Sequence, residues 1–120
     1  MTKINIPEGI TKIERCTFAK CNSIQEIIIP NGVTEIEAGA FYECINLRKI
    51  ILPSTITKIG VFAFKDCISL KEIYIPDSIV KINDYAFAGC SSLKEIDINI
   101  IKSFNYNIFN GCNSLERIFI

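Results

Sequence analysis

Residues 56–75 read I-T-K-I-G-V-F-A-F-K-D-C-I-S-L-K-E-I-Y-I, from Ile56 to Ile75, and the pattern they carry returns every 23 residues along the chain. Pro7, Pro30, Pro53 and Pro76 keep that spacing, as do Phe18, Phe41, Phe64 and Phe87, and Cys21, Cys44, Cys67 and Cys90. A fixed period of this size marks a solenoid, because one such unit cannot bury its own apolar face and must stack on its neighbours. Aligned on the period, the copies are 6–28, 29–51, 52–74, 75–97 and 98–119, the last one residue short. The expected organisation is a single repeat domain over residues 1–120, a segment of a larger array.

Within each copy the run L-x-x-I-x-I-P, as in Leu70, Ile73, Ile75 and Pro76, puts alternate β-branched residues on one face and predicts a strand. Because every copy returns to the same phase, successive strands are expected to be parallel and in register, about 4.8 Å apart, giving six strands in one sheet roughly 24 Å wide. Proline closes each strand where no ladder donor is needed, and Asn99 replaces it in the final copy, which predicts the loosest turn there. The pairs Ile10/Ile13, Val33/Ile36, Ile56/Ile59, Ile79/Ile82 and Ile101/Phe104 predict a short second strand or arc. The A-F-x-x-C segment, with its large residue and its cysteine three apart, suits one helical turn facing inward. Ser23, Asn46, Ser69, Ser92 and Ser114 form a polar column at the following corner, suited to bonding turn backbone groups. The six glycines read as turn residues.

Composition narrows the function classes. The chain is 49% hydrophobic and 22% charged, with thirteen basic and thirteen acidic residues, so no net field draws in nucleic acid or an anionic membrane. Apolar runs such as Ile50-Ile51-Leu52 are stopped by proline well short of the ~20 residues of a membrane span. The first residues lack an apolar stretch of signal-peptide length. Asn22-Ser23 and Asn113-Ser114 place serine one position too early for a glycosylation acceptor.

Cysteine is the one reactive residue used heavily: Cys21, Cys44, Cys67, Cys90 and Cys112 share one repeat position, and Cys16 lies outside it. Parallel stacked Cβ vectors suit disulfides poorly, so the column reads as reduced, inaccessible core thiols. With no histidine and no C-x-x-C, neither a zinc tetrahedron nor the usual general base is expected. Asp66, Asp77 and Asp84 occupy variable turn positions rather than converging. The reading is of no enzyme, no metal and no cofactor.

The pattern I-P-x-x-V-T-x-I-x-x-x-A-F-x-x-C-x-x-L-x-x-I-x-I, running from Ile29 to Leu52, closely resembles the BspA-like class of leucine-rich repeats over essentially the whole chain. The resemblance implies a leucine-rich-repeat solenoid, predominantly β, with right-handed coils of 23 residues. It places a parallel sheet on one face, with short second strands and helical turns on the other. It also implies cell-surface or secreted proteins of mucosal bacteria and protists, with adhesion, extracellular-matrix binding and host recognition as roles. A cytoplasmic location is the alternative.

If Ile73 and Ile75 point inward, Glu72 and Tyr74 point outward, and the period extends this to every coil. One outward column is Glu26, Lys49, Glu72, Glu95 and Arg117, whose mixed signs are expected to pair between strands. The other is Ile28, Ile51, Tyr74, Asp97 and Phe119, apolar where solvent selects polar residues. Two readings stand: a contact patch, or β-propensity on a parallel sheet. As a contact patch, Ile28, Ile51, Tyr74 and Phe119 form the apolar centre of a protein-binding face, with Arg48, Lys71 and Lys94 as a basic margin. The alternative function is a structural or self-assembling repeat segment with no dedicated ligand, and self-association through open solenoid ends is a further expectation.

Overall fold

The computed structural model describes residues 3–97 and 106–119; the side chains of residues 3, 97, 106 and 117–119 lie outside that description. Expectations at Asn99, Ile101 and Phe104 fall outside the described residues. The strands are β1 (Lys3–Asn5), β2 (Lys12–Ile13), β3 (Glu26–Ile28), β4 (Glu35–Ile36), β5 (Lys49–Ile51), β6 (Lys58–Ile59), β7 (Glu72–Ile73), β8 (Lys81–Ile82), β9 (Glu95–Asp97) and β10 (Arg117–Phe119). All pairings are parallel and in register, with Ile27 opposite Ile50 and Ile36 opposite Ile59, so each coil stacks one period above the last.

Three sides make up each coil. The first is the L-x-x-I-x-I strand and the second is the short strand, where β2, β4, β6 and β8 form one continuous sheet. Thr34 and Thr57 tie this second side together, each hydroxyl donating to the threonine carbonyl of the preceding coil at 3.2 and 2.9 Å. The third side is the A-F-x-x-C arc, a chain of turns closed by i to i−3 bonds such as Ala40 N–H to Glu37 O and Cys44 N–H to Phe41 O. The expected helical turn is thus an open arc, and among the described residues only the last coil tightens it into a 3-10 helix, Tyr106–Phe109. Two places in the arc are left-handed, at Phe62 and Asp66 in one coil and at Gly39 and Glu43 in another. Each reverses the winding, which sets the amides between them pointing along the solenoid axis.

Those amides hold the arcs together: Phe41 N–H donates to Ala63 O and Phe64 N–H to Ala86 O, both at 2.8 Å. Behind them the phenylalanines stack in a column. Phe41, Phe64 and Phe87 are fully buried, with ring centroids 5.3 Å apart and planes within 2° of parallel. The core alternation read from the strands holds, with Ile27, Ile50, Ile73 and Ile96 all buried.

One expectation fails. The first side is not one six-stranded sheet but two of three strands, β1-β3-β5 and β7-β9-β10, with no ladder between β5 and β7. The break coincides with β7 shrinking to two residues, so Tyr74 leaves the ladder that Ile28 and Ile51 still join.

Candidate functional site

The break opens the sheet face at its centre. A depression of about 520 Å³ lies over it, floored by Ile50, Ile73 and Ile96, walled by Ile51 and Tyr74, and rimmed by Lys49, Glu72 and Glu95. Strand alternation aims Ile51 and Tyr74 at solvent while their neighbours Ile50 and Ile73 enter the core. Ile28, Ile51 and Tyr74 are 56, 44 and 68% exposed; Ile28 stands opposite Ile51 in register, and Ile51 and Tyr74 flank the depression. Phe119 continues the column by register, opposite Asp97, but its side chain lies outside the described residues. Arg48, Lys71 and Lys94 are all exposed one position before the strand, and Arg48 donates to Gln25 Oε1 at 3.3 Å.

The charged column departs from expectation. Glu26 and Lys49 are opposite each other in register, as are Glu72 and Glu95, a like-charged pair. Among the described residues no ion pair joins Glu26 to Lys49 or Lys49 to Glu72, while Lys12 pairs with Glu37 and Lys65 with Asp66 on the other sides; the side chain of Arg117, opposite Glu95, lies outside the described residues. The sheet break separates Lys49 from Glu72, and exposed carboxylates and ammonium groups gain little from fixing one geometry in water.

The cysteines are more than small hydrophobes. Cys44, Cys67, Cys90 and Cys112 donate their thiols to the carbonyls of Phe18, Phe41, Phe64 and Phe87 in the preceding coil, at 3.0 to 3.1 Å. Only Cys44, Cys67 and Cys90 are fully buried; Cys21 and Cys112, in the end coils, are half-buried, and Cys16 is exposed. Inaccessibility therefore holds for the middle of the column and fails at its ends, where no further coil covers the thiol among the described residues. Burial pushes the thiols of Cys67 and Cys90 up, and those of Cys44 and Cys112 up to about 11, which suppresses the nucleophilic thiolate. Among the described residues no three His, Cys, Asp or Glu side chains gather to hold a metal ion. No helix among them is long and apolar enough to cross a membrane.

Sequence reasoning missed two surface features. The depression leaves no signal, since the strands on both sides of it carry the same L-x-x-I-x-I run. Phe62 and Tyr85 form an outer aromatic pair with centroids 5.7 Å apart, and their register with Cys16 and Gly39 could have revealed it.

The BspA type leucine-rich repeat region matches residues 1–118 in six copies. The chain belongs to the BspA-type leucine-rich repeat family. Its coils superpose on a leucine-rich cell surface protein from Faecalibacterium prausnitzii A2-165 with a TM-score of 0.95 at 36% identity, over 99% of this chain and 32% of that one. The pneumococcal vaccine antigen PcpA gives a TM-score of 0.91 at 26% identity, over 98% of this chain and 30% of that one. A leucine-rich repeat protein from Bacteroides ovatus ATCC 8483 gives 0.75 at 27% identity, over 98% and 36%. This leucine-rich repeat chain thus spans about a third of the length of these solved relatives. No curated protein is significantly similar to it.

Proposed function

We propose that this leucine-rich repeat chain is a non-catalytic protein-binding module that presents its first-side sheet face to a protein partner. The observation that carries the reading is the set of exposed large apolar side chains Ile28, Ile51 and Tyr74, of which Ile51 and Tyr74 line the depression. An apolar centre with a charged margin is the arrangement of a protein contact surface, and an aromatic at its middle is a common energetic anchor. Phe119 belongs to the same column by register, and the margin carries both signs, Arg48, Lys71 and Lys94 beside Glu72 and Glu95, favouring a partner segment of mixed charge around an apolar centre. Similarity to a leucine-rich cell surface protein from Faecalibacterium prausnitzii A2-165 supports a surface role in adhesion or matrix binding.

The test replaces Ile51 and Tyr74 together by serine. Both side chains point to solvent, so the thermal transition is expected to stay within a few degrees of the parent. Binding to immobilised extracellular-matrix proteins, read by biolayer interferometry, is expected to fall at least tenfold, as for loss of a hot spot of ~2 kcal/mol. Undiminished binding by the folded double variant would remove the patch from the account.

A further inference from the structure

Asn31 and Gly32 occupy the corner that follows Pro30, and both are exposed. The corner is a tight turn: Val33 N–H donates to Pro30 O at 3.3 Å, and Gly32 takes a φ of 100°, which suits glycine. One side chain of the next coil clamps it. Thr55 Oγ1 accepts from Gly32 N–H at 3.1 Å and donates to Val33 O at 2.8 Å. The equivalent corners at Pro7 and Pro53 lack this clamp among the described residues. Gly32 stands where the first would need a hydroxyl, and the Ser78 hydroxyl, which stands over the second, is buried without a hydrogen-bond partner.

Asparagine followed by glycine is a reactive pair, because no side chain on the glycine blocks its main-chain nitrogen from the asparagine Cγ. At Gly32 the surroundings are open: a Cβ built there would have only Ile10 O within 4 Å, at 3.8 Å. The Asn31 side chain holds no hydrogen bond among the described residues. Asn110-Gly111, which has the same sequence, is packed on its neighbour instead. There Asn110 O accepts from Gly89 N–H at 2.7 Å, and a Cβ at Gly111 would lie 3.4 Å from the Gly89 nitrogen.

We propose that Asn31 is a site of self-modification, converted to aspartate and isoaspartate through the Gly32 nitrogen at a rate set by the Thr55 hydroxyl. In the first step Gly32 N gives its proton to water and bonds to Asn31 Cγ, the Cγ–Nδ2 bond breaks, and Nδ2 leaves as ammonia. The product is a succinimide ring. Water then adds to either ring carbonyl and opens the ring, leaving aspartate or isoaspartate, with no oxidant or reductant involved. While Gly32 N–H is donated to Thr55 the nitrogen keeps its proton and the turn stays closed, so the clamp opens before the attack. The new carboxylate shares a column with Glu8 and Asp77 and adds like charge to it. Isoaspartate also inserts an extra main-chain carbon, which upsets the phase between β3 and β4.

The test incubates the folded chain at mildly alkaline pH, digests it, and reads position 31 by mass spectrometry for acid in place of amide and for isoaspartate. The parent is expected to convert at Asn31, more slowly than the same chain unfolded in urea. Thr55→Val removes the hydroxyl and is expected to convert about fivefold faster, the factor that one neutral hydrogen bond is worth. Thr55→Ser keeps the hydroxyl and is expected to match the parent. If circular dichroism shows Thr55→Val unfolded, Thr55→Ala takes its place. An Asn31 amide that persists in the folded parent while the unfolded chain loses it overturns the proposal. So does a Thr55→Val rate no higher than the parent's, or a Thr55→Ser rate equal to that of Thr55→Val.

Discussion

Gly60 shows how one residue answers to the coil beneath it. A Cβ built there would lie 2.7 Å from the Ala38 backbone nitrogen and 2.8 Å from the Glu37 carbonyl carbon, and neither can move without shifting a coil. Gly60→Ala is therefore expected to cost on the order of 1 to 3 kcal/mol, seen as a lower urea midpoint with an unchanged far-ultraviolet spectrum. A midpoint equal to the parent's would show that the coils part without cost. Spacing had grouped Gly60 with the turn glycines, and that grouping holds for Gly9, Gly32, Gly39, Gly89 and Gly111, which all have positive φ. It misses Gly60 because the close approach depends on the offset between coils, which a one-dimensional pattern does not encode. The cysteines repeat the lesson: their inward direction follows from sitting three residues after phenylalanine, but the carbonyl each thiol meets belongs to the preceding coil.

Among elements, the strands were legible because alternation of isoleucine with charge has a direct physical cause, and the register followed from the constant period. The division of the first side into two sheets was not, since β5 and β7 come from near-identical runs and differ in whether their backbones meet. That difference is measurable by hydrogen exchange. The amides that β5 and β7 turn toward each other are expected to exchange faster than those of Phe41 and Phe64, whose N–H groups bond the next arc at 2.8 Å. Equal protection across the break would mean that the sheet is continuous in solution. The arc was read as a single helical turn because a spacing of three suits one. Residues such as Phe62 and Tyr85 accept left-handed backbone despite their bulk, and that choice is made by stacking, not by local preference.

The whole molecule follows the period closely, and the outward direction of Ile28, Ile51 and Tyr74 was legible for the same reason. A property of the full column is its response to alkali. Buried thiols stay protonated up to about 11 at Cys44 and Cys112, whereas in the unfolded chain they ionise near the ordinary 9.0. Between those values the unfolded state binds fewer protons, so stability falls as pH rises. The urea midpoint is expected to hold from about pH 6 to 8 and drop by about pH 10, with a smaller drop in Cys67→Ala; a flat profile would contradict this. The bonds between coils have an electrical consequence as well. On the arc, Phe41 and Phe64 donate to the coil that follows, whereas on the other sides Glu37, Arg48 and Gly60 donate to the coil before. The two sets of peptide dipoles therefore oppose each other along the solenoid axis, and the stack carries little net field of its own.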